Sequence, residues 1–214
     1  MKHLLILIIF LSAFFTTHAQ PESPKHEFRA VWVATVANID WPSKPGLSTK
    51  EQQNEIISIL NMHKKLGMNA IILQIRPAAD AFYKSDLEPW SRYLTGTPGQ
   101  APNPFYDPLE FWIKECHSRG MEFHAWLNPY RVAQKTTEPL AGNHIAFDHP
   151  EWILEYGGKL YFDPGVSETR EFVIKVVKDI ITRYDVDAIH FDDYFYPYPL
   201  KEEFPDTTSF AEYN

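Results

Sequence analysis

The residues best suited to chemistry lie where an apolar segment ends, in residues 188–197 (AIHFDDYFYP). Side chains two positions apart along a strand share a face, so His190 and Asp192 lie on one face and Asp193 on the other. Carboxylates at the carboxyl end of a parallel strand occupy the position at which barrel enzymes carry their active sites. Aromatic rings beside carboxylates suit a sugar, whose anomeric centre becomes cationic in the transition state of glycoside hydrolysis.

Three earlier apolar segments also carry polar or aromatic residues at or after their ends, and these are candidate substrate-binding groups. They are Asp40 and Trp41 for the first segment, Gln74, Arg76 and Asp80 for the second, and His124, Trp126, Asn128, Tyr130 and Arg131 for the third. A buried polar group without a partner costs about 1–3 kcal/mol, so these strand ends are predicted to converge on a common mouth. The alternative is that they brace the loops, and for Gln74 and Asn128 the two interpretations weigh equally.

Charge and aromatic character suggest roles for some of these side chains. Arg76 and Arg131 are predicted either to hold a sugar carboxylate in a bidentate pair or to neutralise Asp80 or Asp192. Ordinary loop packing competes with sugar stacking for every aromatic residue in the loops. The candidate stacking platforms are Trp41, Tyr83, Trp90, Tyr130, Tyr194 and Tyr196.

Strand and helix signals alternate along the chain and would position these residues. Strands are predicted over residues 28–36, 69–75, 122–127 and 188–191. Helices are predicted from the capping box at 48–51 to Gly67, from Asp107 to about Gly120, and from a cap at Ser167 to about Tyr184. The loop of residues 128–166 is predicted to contain a helical turn near 150–152 and a short strand at 159–162.

The lengths of the connections favour one architecture. Loops after the first three strands are long, whereas each helix joins the next strand through two or three residues. This asymmetry is typical of an α/β protein of the (β/α)₈ TIM-barrel type, with its active face at the strand carboxyl ends. An open doubly wound sheet would normally show a Gly-rich turn after the first strand, and residues 36–42 (VANIDWP) contain no glycine.

The predicted elements account for only part of such a barrel. A closed barrel needs eight strands and about 250 residues, whereas residues 27–214 supply about four βα units. We therefore expect this chain to be the N-terminal part of a longer protein.

The first residues are typical of a secretory signal peptide. Lys2 precedes an apolar run over residues 4–15, and small residues at 17 and 19 favour cleavage after Ala19. We expect a signal peptide over 1–19, a linker over 20–26, and export to the periplasm or the outside, with no membrane segment after cleavage. A retained N-terminal anchor is the alternative.

Charge and cysteine content narrow the class of partner. The formal net charge is −8, which disfavours nucleic acid because phosphate contacts need clustered cations. It leaves an oligo- or polysaccharide substrate open. Cys116 is the sole cysteine, so no internal disulfide forms. No cofactor and no metal site is predicted, and the oligomeric state is left open.

Six motifs occurring in order resemble the glycosyl hydrolase-like 10 family. The resemblance implies a (β/α)₈ barrel in exported bacterial proteins, with activity on peptidoglycan glycan strands stripped of their stem peptides. This sequence departs from it by lacking a lipid-attachment cysteine and the second half of the barrel. The motifs are residues 27–33 (EFRAVWV), 38–42 (NIDWP), 74–83 (QIRPAADAFY), 88–91 (EPWS), 124–131 (HAWLNPYR) and 190–197 (HFDDYFYP).

A more distant resemblance reaches the barrel glycosidases related to amylases. There the nucleophilic Asp ends strand 4, two residues after a basic residue, and the general acid Glu ends strand 5. The resemblance implies that Asp192 is the nucleophile or stabilising carboxylate, with His190 orienting it or the sugar. Asp193 would bind sugar hydroxyls or hold the loop. The second acid is expected beyond Asn214, with Asp40 and Asp80 as weaker candidates.

Two other functions stay open from the sequence. One is a non-catalytic protein that binds glycans through the aromatic cleft. The other is a metal-dependent deacetylase or amidohydrolase using His124, His190 and Asp192, whose residue types fit a mononuclear site but whose spacing matches no standard motif.

Overall fold

A computed structural model describes residues 27–192 and 196–213. Strands and helices alternate, with a cluster of short elements between β3 and α5. In chain order the elements are β1 (Ala30–Val33), α1 (Thr49–Lys65), β2 (Ala70–Arg76), α2 (Arg92–Thr95), α3 (Pro108–His117), β3 (Glu122–Leu127), β4 (Arg131–Ala133), α4 (Ile145–Asp148), β5 (Ile153–Tyr156), β6 (Lys159–Phe162), α5 (Ser167–Arg183), β7 (Ala188–Phe191) and α6 (Thr207–Tyr213). Two 3₁₀ turns occupy Val36–Asn38 and Pro150–Trp152.

Four parallel strands form the main sheet in the order β1-β2-β3-β7. Their register sets Ile72 opposite His124 and Trp126 opposite His190. Each consecutive pair is joined through a helical crossover, which is the arrangement of a (β/α) barrel. The predicted α/β class, with four barrel-type βα units, is therefore confirmed.

A second sheet lies within the loop between β3 and α5. It is antiparallel, with the order β4-β6-β5. The predicted strand at 159–162 and turn at 150–152 are both confirmed. The sequence did not predict β4 and β5, which have only three and four residues and are stabilised by pairing with β6.

Local caps begin two of the long helices as predicted. Ser48 and Glu51 form a complete capping box at α1. At α3 the carboxylate of Asp107 accepts from the backbone N–H groups of Leu109 and Glu110. The predicted cap at Ser167 is wrong, because Ser167 lies inside α5 and its hydroxyl donates to Glu168.

Strand β1 is shorter than the predicted 28–36. After Val33, the side chain of Gln74 replaces the backbone of a neighbouring strand as the hydrogen-bond acceptor. The Oε1 atom of Gln74 accepts from the backbone N–H groups of Thr35 and Val36, at 3.0 and 2.9 Å. The chain then turns through Ala37 and Asn38, with φ angles of 53° and 54°. Two consecutive non-glycine residues in the left-handed region cost energy and are rare outside functional or tightly braced segments.

The two faces of the main sheet have different partners. One face packs against α1, α3 and α5 and forms the hydrophobic core, with Leu73, Phe123 and Leu127 from the strands and Leu60 and Trp112 from the helices. The opposite face is called here the inner face. Its residues alternate along each strand with the core residues, as strand geometry requires. Its side chains are Trp32, Ile72, Gln74, His124, Trp126 and His190.

The longest helices, α1 and α5, have 17 residues each. Both carry charged residues along their exposed faces, as helices packed on a sheet do. Across residues 27–192 and 196–213, no helix combines the length and the apolar character that a membrane crossing requires. The predicted signal peptide and linker fall in residues 1–26, outside the described residues.

Candidate functional site

The end of β7 places His190 on the inner face. The ring of His190 lies edge-on to Trp32, with 5.0 Å between ring centroids, and also contacts Trp126 at 6.3 Å. Asp192 is half-buried and directly follows Phe191, the last residue of β7. The prediction that His190 and Asp192 share a face stays a prediction, because the strand ends before Asp192. Asp193 and Tyr194 lie outside the described residues.

Two ring nitrogens on the inner face have no described partner. Nε1 of Trp126 and Nε2 of His190 are buried, and no hydrogen bond reaches either among residues 27–192 and 196–213. His190 is therefore held in place by aromatic packing on Trp32 and Trp126. Ring packing of this kind fixes a side chain while leaving its polar edge for another group.

Gln74 joins the loops that follow β1 and β3. Its Oε1 atom accepts from Thr35 and Val36, and its Nε2 donates to Oδ1 of Asn128 at 2.9 Å. Gln74 and Asn128 are both buried. The geometry therefore favours the bracing interpretation for this pair, since the polar ends of Gln74 are already engaged.

Arg76 is a fully buried brace. Its guanidinium forms an ion pair with Glu88, in which both side chains have zero exposure, and it also donates to the carbonyl oxygens of Asn128 and Pro129. The prediction that Arg76 binds a sugar carboxylate is corrected, whereas its charge does act on Asp80 and opposes the rise that burial causes in the pKa of that carboxyl. The ion-pair partner of Arg76 is Glu88, a residue to which the sequence analysis gave no role, and the pair ties the loop after β2 to the end of β3.

Two predicted stacking platforms belong to the core. Trp41 is completely buried against Phe82 and Trp112, and its Nε1 donates to the carbonyl of Gln52 at 3.2 Å. Tyr83 is 1% exposed. The prediction that these rings stack on sugar is wrong, because both pack on the helix side of the sheet. Trp90 is half-buried beside Phe105, so the structure leaves its predicted role open.

His124 lies near the amino end of β3, away from the mouth at the carboxyl ends of the strands. Its Nε2 is 3.0 Å from the carboxylate of Glu122, and its ring stacks on Phe28 with centroids 5.2 Å apart. The register pairs His124 with Ala188, two positions before His190. The prediction that His124 contacts substrate at the mouth is corrected, because Glu122 and Phe28 engage it near the start of β3.

Asp40 closes the turn after β1. Its Oδ2 accepts from the backbone N–H of Ala34 at 2.8 Å, and its own N–H donates to the carbonyl of Ala34. The residue is exposed. Asn38, in the same turn, donates to the carbonyls of Pro42 and Tyr93. These bonds stabilise the left-handed segment at the mouth.

Asp80 and His144 line one small cavity behind the mouth. Burial raises the pKa of Asp80 to about 6, with the charge of Glu88 adding to the rise and a hydrogen bond to Ser91 opposing it. Burial and the charge of Arg76 lower the pKa of His144 to about 4. Nδ1 of His144 accepts from the backbone N–H of Ala146, so the neutral ring carries its proton on Nε2.

The raised pKa of Asp80 predicts a pH-dependent loss of folding stability. Asp80 binds its proton more tightly in the folded chain than in the unfolded one, so stability falls as pH rises from about 4 to about 6. Asp80→Asn is expected to raise the free energy of unfolding at pH 7 by up to about 3 kcal/mol, at about 1.4 kcal/mol per pKa unit. The gain should vanish at pH 4. Urea titrations at both pH values measure it, and an equal gain at pH 4 and pH 7 would contradict the assignment.

Two adjoining clefts run along the small antiparallel sheet, called here the sheet groove. The first, of about 770 Å³, lies between the turn after β1, α2 and β4. The second, of about 370 Å³, lies over β5 and β6. Arg131 and Lys159 line both clefts. Arg131 was predicted from the sequence as a substrate-binding residue. Arg92, Lys135 and Lys159 were not, because they are scattered in sequence and meet only through the folding of the loops.

Tyr130 and Tyr196 lie in a different place from the sheet groove. Both line an apolar groove beside α5, together with Phe191. The hydroxyl of Tyr196 donates to Asp206 at 2.6 Å, and its ring packs on Phe204. Burial and the hydrogen bond to Asp206 raise the pKa of Tyr196. The predicted stacking roles of Tyr130 and Tyr196 stay predictions. The ring of Tyr196 already packs on Phe204.

The described part of the chain contains no cluster of potential metal ligands. Among residues 27–192 and 196–213, no three His, Cys, Asp or Glu side chains come together in a way that could hold a metal ion. His124 is engaged by Glu122, two register positions from His190. The geometry therefore gives the metal-dependent alternative no specific support.

Comparison with known proteins identifies relatives of the whole described region. Residues 27–214 match the glycosyl hydrolase-like 10 family. Glycosyl hydrolase YngK of Bacillus subtilis (strain 168) is 49% identical over 213 residues, which are 98% of this chain and 41% of that protein. Glycosyl hydrolase DigH of Escherichia coli (strain K12) is 34% identical over 212 residues, which are 91% of this chain and 48% of that protein. The chain thus spans less than half the length of these curated relatives.

A solved structure supports the fold. The noncanonic maltogenic α-amylase AmyB from Thermotoga neapolitana superposes with a TM-score of 0.50 and 18% identity, over 79% of this chain and 40% of that chain. At this level of identity the similarity concerns architecture alone.

Proposed function

Because the chain belongs to the glycosyl hydrolase-like 10 family, we propose that the protein hydrolyses glycosidic bonds in a bacterial cell-wall glycan. The observation that carries the proposal is the end of β7. His190 is packed on Trp32 and Trp126, and Asp192 directly follows β7, at the carboxyl end of a parallel strand. That is the position from which barrel enzymes act.

Asp192 is assigned the role of nucleophile or stabilising carboxylate. Glycoside hydrolysis uses two carboxyl groups, about 5–5.5 Å apart for retention and about 6.5–9.5 Å apart for inversion. Asp40 is engaged in its turn, and Asp80 faces a cavity behind the mouth. We assign the second carboxyl to a part of the protein beyond residue 214, as the distant resemblance to amylase-type barrels implies.

The remaining residues of the mouth serve as support. Gln74 and Arg76 hold the loops after β1, β2 and β3 together through Asn128 and Glu88. Rigid loops keep a catalytic carboxylate in place relative to the bond it acts on, which lowers the entropic cost of the reaction. The proposal also includes export through the signal peptide of residues 1–19, followed by the barrel from residue 27.

The test is a glycan panel offered to the full-length protein. Peptidoglycan strands without stem peptides, intact peptidoglycan and amylose are incubated separately, and new reducing ends are counted and products identified by mass spectrometry. We expect release from the peptide-free strands and none from amylose. Binding to the strands without any product would favour a non-catalytic glycan-binding protein. Turnover of amylose alone would contradict the cell-wall substrate.

A further inference from the structure

The sheet groove combines cations with aromatic rings, and we propose that it is a subsite for a carboxylate-bearing sugar. Arg131 and Lys159, where the two clefts meet, bind the carboxylate, and the exposed Tyr198 of the second cleft contacts the sugar ring. The inference rests on the proposed function only in taking the ligand to be a glycan. It assigns a site whose described lining residues do not include Asp192.

The first cleft is strongly cationic. Arg92, Arg131, Lys135 and Lys159 line it, and Glu138 is the one carboxylate among its described lining residues. Glu138 lies 3.8 Å from Arg92, a long and partly exposed ion pair. The protein as a whole carries a formal charge of −8. A local excess of cations in a concave surface concentrates the positive potential there and attracts an anionic ligand.

The second cleft supplies one exposed ring. Tyr156, Tyr161 and Tyr198 line it together with Arg131 and Lys159. Tyr156 and Tyr161 are buried and pack on Phe204, whereas Tyr198 is 69% exposed. The guanidinium of Arg131 lies over the ring of Tyr161, 5.9 Å from its centroid, and its Nη1 donates to Gln134 at 3.1 Å. A sugar bearing an acidic substituent matches this arrangement, because its ring packs on Tyr198 while its carboxylate meets the cations.

Both central cations are held by strand backbone. Arg131 begins β4 and pairs with Tyr161, and Lys159 begins β6 and pairs with Tyr156. Side chains on paired strands are positioned more exactly than side chains on free loops. Arginine also presents a planar fork that matches a carboxylate. These features favour a built site over a diffuse cationic surface.

The carboxylate could come from two sources with the same chemistry. One is the lactyl group of a muramic acid residue, and the other is a uronic acid within the glycan. Both place one negative charge beside a pyranose ring. The experiment below separates them by using a probe from each source.

Binding is measured by titration calorimetry on the full-length protein carrying Asp192→Asn, so that no probe is consumed. The probes are peptide-free peptidoglycan strands, the same strands with their carboxyls reduced to alcohols, oligogalacturonate, and chitin oligosaccharides. We expect carboxyl reduction to weaken binding of the strands about tenfold, or about 1.4 kcal/mol. Tight oligogalacturonate binding instead would identify a uronic acid as the source.

Lys159→Met removes the charge and keeps most of the apolar stem. It is expected to reduce the difference between native and reduced strands, since Arg131 alone remains, whereas Lys50→Met, at an exposed position on α1, should leave that difference intact. The salt dependence of the native-strand Kd gives a readout that needs no variant. Equal affinity for native and reduced strands, or a salt-independent Kd, would overturn the subsite. Neither result depends on whether the protein cleaves the glycan.

Discussion

Asp192→Asn is expected to lower kcat for hydrolysis of peptide-free peptidoglycan strands by about 10²–10⁴-fold in the full-length protein, the range for removing a catalytic acid–base group. The change keeps the size and polarity of the side chain but removes its negative charge. If Asp192 attacks or stabilises the cationic anomeric centre, the neutral amide can do neither. Initial rates of reducing-end release, measured at saturating glycan, give the ratio directly.

The matched control sits at the other end of the same strand. Asp185 precedes β7, and its side chain is 95% exposed. Asp185→Asn changes the charge by the same amount as Asp192→Asn but lies at the amino end of the strand, away from the mouth. It is expected to leave kcat unchanged. Similar kcat values for wild-type protein and Asp192→Asn, with circular dichroism showing both folded, would remove Asp192 from the mechanism.

Glu88→Ala is expected to lower the free energy of unfolding by about 3–5 kcal/mol, the usual cost of removing one partner from a buried ion pair. Glu88 and Arg76 both have zero side-chain exposure. Without Glu88 the guanidinium keeps its bonds to the carbonyls of Asn128 and Pro129, but its buried charge loses its ion-pair partner. Urea denaturation followed by tryptophan fluorescence measures the loss.

An exposed ion pair and a double variant separate charge from packing. Glu27 pairs with Arg29 at the surface, with 55% and 46% exposure, and Glu27→Ala should cost about 0–1 kcal/mol. Arg76→Met combined with Glu88→Leu removes both charges and should recover much of the stability lost in Glu88→Ala. A loss in Glu88→Ala no greater than that in Glu27→Ala would show that the buried pair contributes little.

Several features of the chain followed from residues close together in sequence. The caps at Ser48 and Asp107 act within one helical turn, so a few residues suffice to place the starts of α1 and α3. The alternation of side chains along a strand put His124 and Trp126 on one face. The register of the sheet sets Gln74 and His190 on either side of Trp126. The barrel class followed from the alternation of elements with long loops after the strands.

What the sequence by itself determined about this protein is the alternation of four strands with three long helices, their order and the family. Tertiary structure alone decided which polar groups meet. Arg76 pairs with Glu88 rather than with an aspartate, Trp41 is a core residue, and Arg131 meets Lys159 through a small sheet made of three- and four-residue strands. Caps and alternation act between near neighbours and leave a periodic signal, whereas the loops have no period. The partner of a buried charge there is fixed by burial and distance, which exist only once the chain has folded.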